Sequence, residues 1–153
     1  MINNALLLHT NIIVHLIRAS PLANYAIEKY LIFDQPQRPL ISVVTEGELE
    51  SFALQNDWGS NKYRQLDQYI TELLNVDIRI KTIINRYAEI DAFSQNKLKN
   101  RPLSNSARNM GKNDLWIAAT ASVLDATLLT TDKDFNHLNN EFLNVVWLNQ
   151  ALN

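Results

Sequence analysis

With 153 residues, 46% of them apolar and 20% charged, the chain can bury a core of its own, which excludes a disordered or fibrous protein. A formal net charge of −2 predicts no strong non-specific attraction to nucleic acid or anionic membranes and argues against a simple basic binding module, while leaving room for a local basic groove. No cysteine is present, so a disulfide scaffold, a zinc–thiolate site and a cysteine nucleophile are excluded, and the composition suits a reducing cytoplasm.

The first apolar run, residues 5–8, reads as a buried strand passing into a helix. Together with residues 12–17 it is not expected to form a signal peptide or membrane anchor. No basic residue precedes it, no small-residue cleavage site follows it, and His9, Thr10, Asn11 and His15 interrupt it. Pro21 can open a helix whose apolar residues recur at Leu22, Ala26, Tyr30 and Phe33. A second strand is expected at 40–44, followed by a helix started by Thr45 and Glu48 as a capping box. Residues 61–74 are amphipathic, 76–78 read as a strand, and 80–98 form the next helical stretch. Asn113 can cap a helix over 114–124, striped by Leu115, Ala118, Ala119 and Val123. Strands over Thr127–Thr130 and 145–148 close the series. Strand runs that are continuous rather than alternating suit a parallel sheet covered on both faces.

This alternation predicts an α/β three-layer domain with right-handed crossovers and a central parallel sheet of about five strands. No repeat, low-complexity tract or linker interrupts it, so residues 1–153 are expected to form one domain. In such sheets ligands bind beyond the carboxyl ends of the strands. His9, Glu48, Asp114 and Asp132 fall at such ends or at a helix start. Each has a local explanation: Glu48 as a capping partner, Asp114 as a first-turn carboxylate favoured by the helix dipole, and Asp132 as a turn residue. Their joint placement at one sheet edge carries the functional argument.

Four stretches resemble the signature segments of VapC-type PIN domains: LLLHTNIIVHLI (6–17), ISVVTEGELESF (41–52), NDLWIAATA (113–121) and LLTTDKDF (128–135). They occur in the order and spacing of that family and span nearly the whole chain. The resemblance implies a PIN fold and a carboxylate cluster binding Mg²⁺ or Mn²⁺ to hydrolyse RNA phosphodiesters. Glu48, Asp114 and Asp132 match the family's second, third and fourth acidic residues, and Asp134 is a further candidate ligand. His9 stands where the family's first metal-binding Asp is expected. Hard divalent cations prefer oxygen ligands, so an imidazole there favours Mn²⁺, Zn²⁺ or another transition metal over Mg²⁺. Three readings of His9 stay open: an inactivating substitution, a natural loss of activity, and a variant site that works with another metal.

Around these positions, Thr10, Asn11, Asn113 and Thr131 are candidate supporting residues, with Asn11 also read as a helix cap. Thr130 is a possible hydrogen-bond partner of a carboxylate. Glu46 and Glu50, two residues either side of Glu48, point elsewhere on a helix. The stretch 92–113 carries Lys97, Lys99, Arg101, Arg108 and Lys112 and no acidic residue, so it can draw RNA phosphates toward the carboxylates. Trp116 and Trp147 read as core or interface residues, Trp58 as an exposed partner contact, and His15 and His137 receive no role.

The resemblance further implies a cytoplasmic toxin acting on tRNA or rRNA, a homodimer, and a small DNA-binding antitoxin protein docking on helices around 22–33 and 45–54. A catalytically dead PIN domain that binds RNA or protein is the alternative. A receiver-like signalling domain is disfavoured, because it needs an Asp at the end of a middle strand and residues 76–78 hold only Asp77, inside the strand.

Overall fold

The computed structural model describes residues 5–152. Five short strands, β1 (Leu6–Leu8), β2 (Leu40–Ser42), β3 (Leu74–Val76), β4 (Thr127–Thr130) and β5 (Asn144–Trp147), pair in the order β3-β2-β1-β4-β5. All pairings are parallel, with Leu7 opposite both Leu40 and Leu128. Six α-helices connect them: α1 (Thr10–Arg18), α2 (Pro21–Tyr30), α3 (Val43–Gln55), α4 (Ser60–Glu72), α5 (Lys81–Ser94) and α6 (Lys112–Val123). A 3₁₀ turn spans Lys133–Leu138.

Three layers follow from the two-residue period of a strand. Leu6, Leu8, Ile41 and Leu129 face one core with α1, α2 and α4, where Ile12, Ile13, Leu22 and Leu66 are fully buried. Leu7, Leu40 and Leu128 face the other core, against Ile83 and Ile90 of α5 and Leu115 and Ala118 of α6. Successive leucines of β1 therefore serve opposite cores. That is why the run is apolar throughout, and the expected α/β three-layer architecture with a parallel sheet is the one observed.

Helix α2 begins where Pro21 predicts, and the Ser20 hydroxyl accepts from the Ala23 amide to cap it. Several expected boundaries differ. The second strand ends at Ser42 rather than Val44, because Ser42 accepts from the Val44 amide and starts α3 there. Thr45 and Glu48 consequently lie inside α3 and do not form a capping box. Asn11 does not cap α1, whose N-cap is His9, and Asn113 does not cap α6, whose N-cap is Gly111. The third strand is Leu74–Val76 rather than 76–78, its register fixed by Leu40 opposite Leu74. Helix α5 stops at Ser94, short of residue 98, and Phe33 lies beyond the end of α2.

His137, given no role from sequence, is wedged behind the sheet. Its Nε2 meets Ser94 Oγ at 2.7 Å, and its ring stacks on Phe93 with an interplanar angle of 5°. Burial, and secondarily the Arg108 guanidinium, push its pKa down to about 4. Ordinary histidine titrates near 6.5, so between those values the unfolded chain binds a proton that the folded chain refuses. Stability is therefore expected to fall as pH drops from about 6.5 to about 4. Urea melts at pH 7 and pH 4.5 check this, and His137→Gln should flatten the dependence.

Candidate active site

The order β3-β2-β1-β4-β5 reverses direction at β1, so the crevice beyond β1 and β4 is the topological switch point of the sheet. His9 sits there directly after β1, its backbone amide donating to the Leu129 carbonyl of β4 at 3.0 Å. His9 is buried, with 6% of the residue exposed, and its ring packs edge-to-face with Phe135 at a centroid distance of 5.0 Å.

Hydrogen bonds fix what the ring can do. Nε2 lies 3.2 Å from Asp114 Oδ1, and a carboxylate only accepts, so Nε2 carries a hydrogen. Nδ1 lies 2.8 Å from Thr130 Oγ1, which also accepts from the Asp132 amide at 3.0 Å. In the neutral ring protonated at Nε2, Thr130 gives its hydrogen to Nδ1, so both ring nitrogens have a partner within the protein. His9 thus links Asp114 on one side of its ring to Thr130 on the other.

Glu48 arrives from α3 and accepts from the Thr10 hydroxyl at 2.7 Å, while Thr10 Oγ1 also lies 3.0 Å from Thr45 Oγ1. A charged acceptor makes this bond stronger than a neutral one. Thr10→Val should cost about 1 kcal/mol of stability, read by urea denaturation, since Glu48 keeps partial access to solvent. Asp132 opens the 3₁₀ turn, accepting from the Asp134 amide at 2.9 Å. Asn11 reaches across rather than capping, its Oδ1 accepting from the Thr131 amide at 3.3 Å. Thr131 Oγ1 accepts from Gln150, and its carbonyl from the Trp147 indole.

The structure therefore brings His9, Asp114, Thr130 and Asp132 into one hydrogen-bonded chain, with Glu48 tied to Thr10 beside it. Asp134 is exposed and borders a separate cavity of about 270 Å³ with Ser106 and Arg108. Glu46 bonds Asn75 of β3 at the surface, and Glu50 is exposed. Thr130 was expected beside a carboxylate; its partners are the His9 ring and the Asp132 backbone.

The donor set fits a hard divalent cation in kind, since Glu48, Asp114 and Asp132 offer only oxygen. Among the described residues no three His, Asp or Glu side chains gather closely enough to share one ion. Mg²⁺ needs only one or two carboxylates and completes its shell with water, so the set remains sufficient.

The basic stretch is split by the fold. Lys97, Lys99 and Lys112 are exposed. Arg101 stacks 4.0 Å from the Phe142 ring centroid and pairs with the Glu141 carboxylate at 3.1 Å, so its charge is already engaged. Arg108 is half-buried, its Nε enclosed without a hydrogen-bond partner among the described residues. Trp58, expected to be exposed, is half-buried between Phe52 and Tyr63. Trp116 packs on Tyr87 at 4.3 Å between centroids. No helix among the described residues is long and apolar enough to cross a membrane.

Comparison with known proteins agrees with this architecture. The PIN domain family profile matches residues 6–141. The chain is similar in structure to VapBC2 from Rickettsia felis bound to a promoter DNA fragment (TM-score 0.75, 23% identity, covering 95% of this chain and 99% of that one). It is also similar to VapBC-1 from nontypeable Haemophilus influenzae (TM-score 0.68, 23% identity, 94% and 97% covered). A third likeness is to DNA-bound VapBC from Salmonella typhimurium (TM-score 0.65, 18% identity, 94% and 97% covered). No curated protein matches the chain.

Proposed function

Since this chain belongs to the PIN domain family, we propose that it is a VapC-type toxin, a Mg²⁺- or Mn²⁺-dependent endoribonuclease held back by His9. The observation that carries the reading is the contact of Asp114 and Thr130 with the His9 ring at the β1–β4 crevice, where Thr130 also holds the Asp132 backbone amide and Thr10 holds Glu48. Glu48, Asp114 and Asp132 would hold the ion, with Asp134 as an outlying candidate. A bound divalent ion would lower the pKa of a water and neutralise charge on the phosphate oxygens.

The chain's own residues supply positioning. Thr10 orients Glu48, and the Asp134 amide fixes Asp132. Lys97, Lys99 and Lys112 can draw the RNA backbone toward a site that would otherwise repel phosphate. His9 holds a hydrogen on Asp114 Oδ1 and so satisfies that carboxylate without a metal. This favours reduced turnover by the chain as it stands, with tRNA or rRNA as the substrate of the active form.

The solved relatives are VapBC assemblies, some bound to DNA. By that likeness the chain works in the cytoplasm as a homodimer with a small DNA-binding antitoxin, docked on surfaces that include α2 and α3. A second reading, a dead PIN domain that only binds RNA or protein, is favoured by the same His9–Asp114 contact. Incubating a tRNA pool with the chain and with its His9→Asp variant, with divalent metal or with chelator, separates the two. Metal-dependent cleavage by the variant supports the nuclease, and none by either protein overturns it.

A further inference from the structure

Ser94, the last residue of α5, is fully buried, and its hydroxyl touches two segments that lie outside that helix. Its Oγ is 2.7 Å from Nε2 of His137, in the 3₁₀ turn that Asp132 opens, and 3.4 Å from Met110 Sδ. Met110 is itself buried and directly precedes Gly111, the N-cap of α6, whose first turn carries Asp114. We propose that Ser94 is a positioning residue for the metal site, its hydroxyl holding the Asp132 turn and the start of α6 in fixed relation. The inference rests on the nuclease reading above.

Three observations carry it. First, one small hydroxyl can serve both neighbours. It offers one hydrogen and two lone pairs, so it can donate to Met110 Sδ while accepting a hydrogen from His137 Nε2. An aliphatic side chain at 94 would serve neither. Second, the approach to α6 has little other order of its own. Residues 95–111 form neither helix nor strand, and their backbone returns to Ser94, whose carbonyl accepts from the Arg108 amide at 2.8 Å. Ser94 therefore ties this segment down through main chain and side chain together. Third, the turn side of the tie is stiff. The His137 ring stacks on Phe93 with an interplanar angle of 5°, and Phe135 of the same turn is fully buried. A change at Ser94 is thus passed to the two segments bearing Asp114 and Asp132 instead of being absorbed by a mobile side chain.

The test reads Mn²⁺ affinity, by electron paramagnetic resonance of the free ion, in the full chain carrying His9→Asp, with and without Ser94→Ala. Measurement well below both melting points separates ligand placement from global stability. The expected result is a Mn²⁺ Kd raised about 10–100-fold by Ser94→Ala, the range for groups that orient a metal's ligands, with the far-ultraviolet circular dichroism unchanged. Met110→Leu keeps the volume and removes only the sulfur acceptor, so a smaller rise is expected. It carries the test alone should Ser94→Ala fail to fold. A Kd unchanged by the substitutions, even with a lowered Tm, makes Ser94 a purely structural residue and overturns the proposal while leaving the nuclease reading intact. Absence of Mn²⁺ binding by the His9→Asp chain itself overturns both.

Discussion

Replacing His9 with Asp is expected to raise metal-dependent RNA cleavage by more than the roughly 10–100-fold that outer-sphere partners of a metal are worth. The substitution removes the His9 contact on Asp114 and supplies a second acidic side chain beside it, where the family pattern places one. Equal cleavage rates for the two proteins, at equal Mg²⁺ or Mn²⁺ concentration, would sink this prediction. A thermodynamic signature should accompany the kinetic one. Without metal, like charges at 9 and 114 repel each other, and the Nδ1–Thr130 and Nε2–Asp114 bonds are gone, so the variant should melt below the parent. Adding metal should then stabilise the variant more than the parent, by about 2.7 kcal/mol at a hundred times its Kd.

Truncating Phe135 to Ala should destabilise the fold by about 3–5 kcal/mol, the usual range for a buried aromatic. Phe135 is fully buried, packs into the core between the sheet and α5–α6, and presents its ring to His9 at 5.0 Å. It lies in the 3₁₀ turn that begins at Asp132, so one side chain anchors both the core and the turn carrying a candidate ligand. Urea denaturation of Phe135→Ala and Phe135→Leu should give a graded loss, the leucine filling part of the cavity. A loss below 1 kcal/mol for the alanine would show that this turn is not anchored through its ring.

Much of the architecture was legible because the physics behind it is local. Ser20 and Pro21 start α2 by capping and a preset φ, whatever surrounds them. Strand β4 was read at its full extent, Thr127–Thr130, because two leucines between β-branched threonines suit a short buried strand. Boundaries failed where two local signals competed. Val43 and Val44 look like strand residues, yet Ser42 offers its hydroxyl to the Val44 amide and converts them to the first turn of α3. Strand β3 was misplaced by two residues because it is an edge strand, with Leu74 47% exposed, and no hydrophobic pattern marks its register.

By itself, the sequence determined the layer architecture, the family and the residues at the strand ends, since each follows from periodicity or from a contiguous motif. Tertiary structure alone decided what those residues do to one another. His9 and Asp114 are 105 positions apart, and His9 and Thr130 are 121 apart. Only the pairing of β1 with β4, and the crossing of α6 behind them, brings these groups within hydrogen-bond reach. That pairing is long-range, so no window of the sequence could show that the His9 ring sits between Asp114 and Thr130.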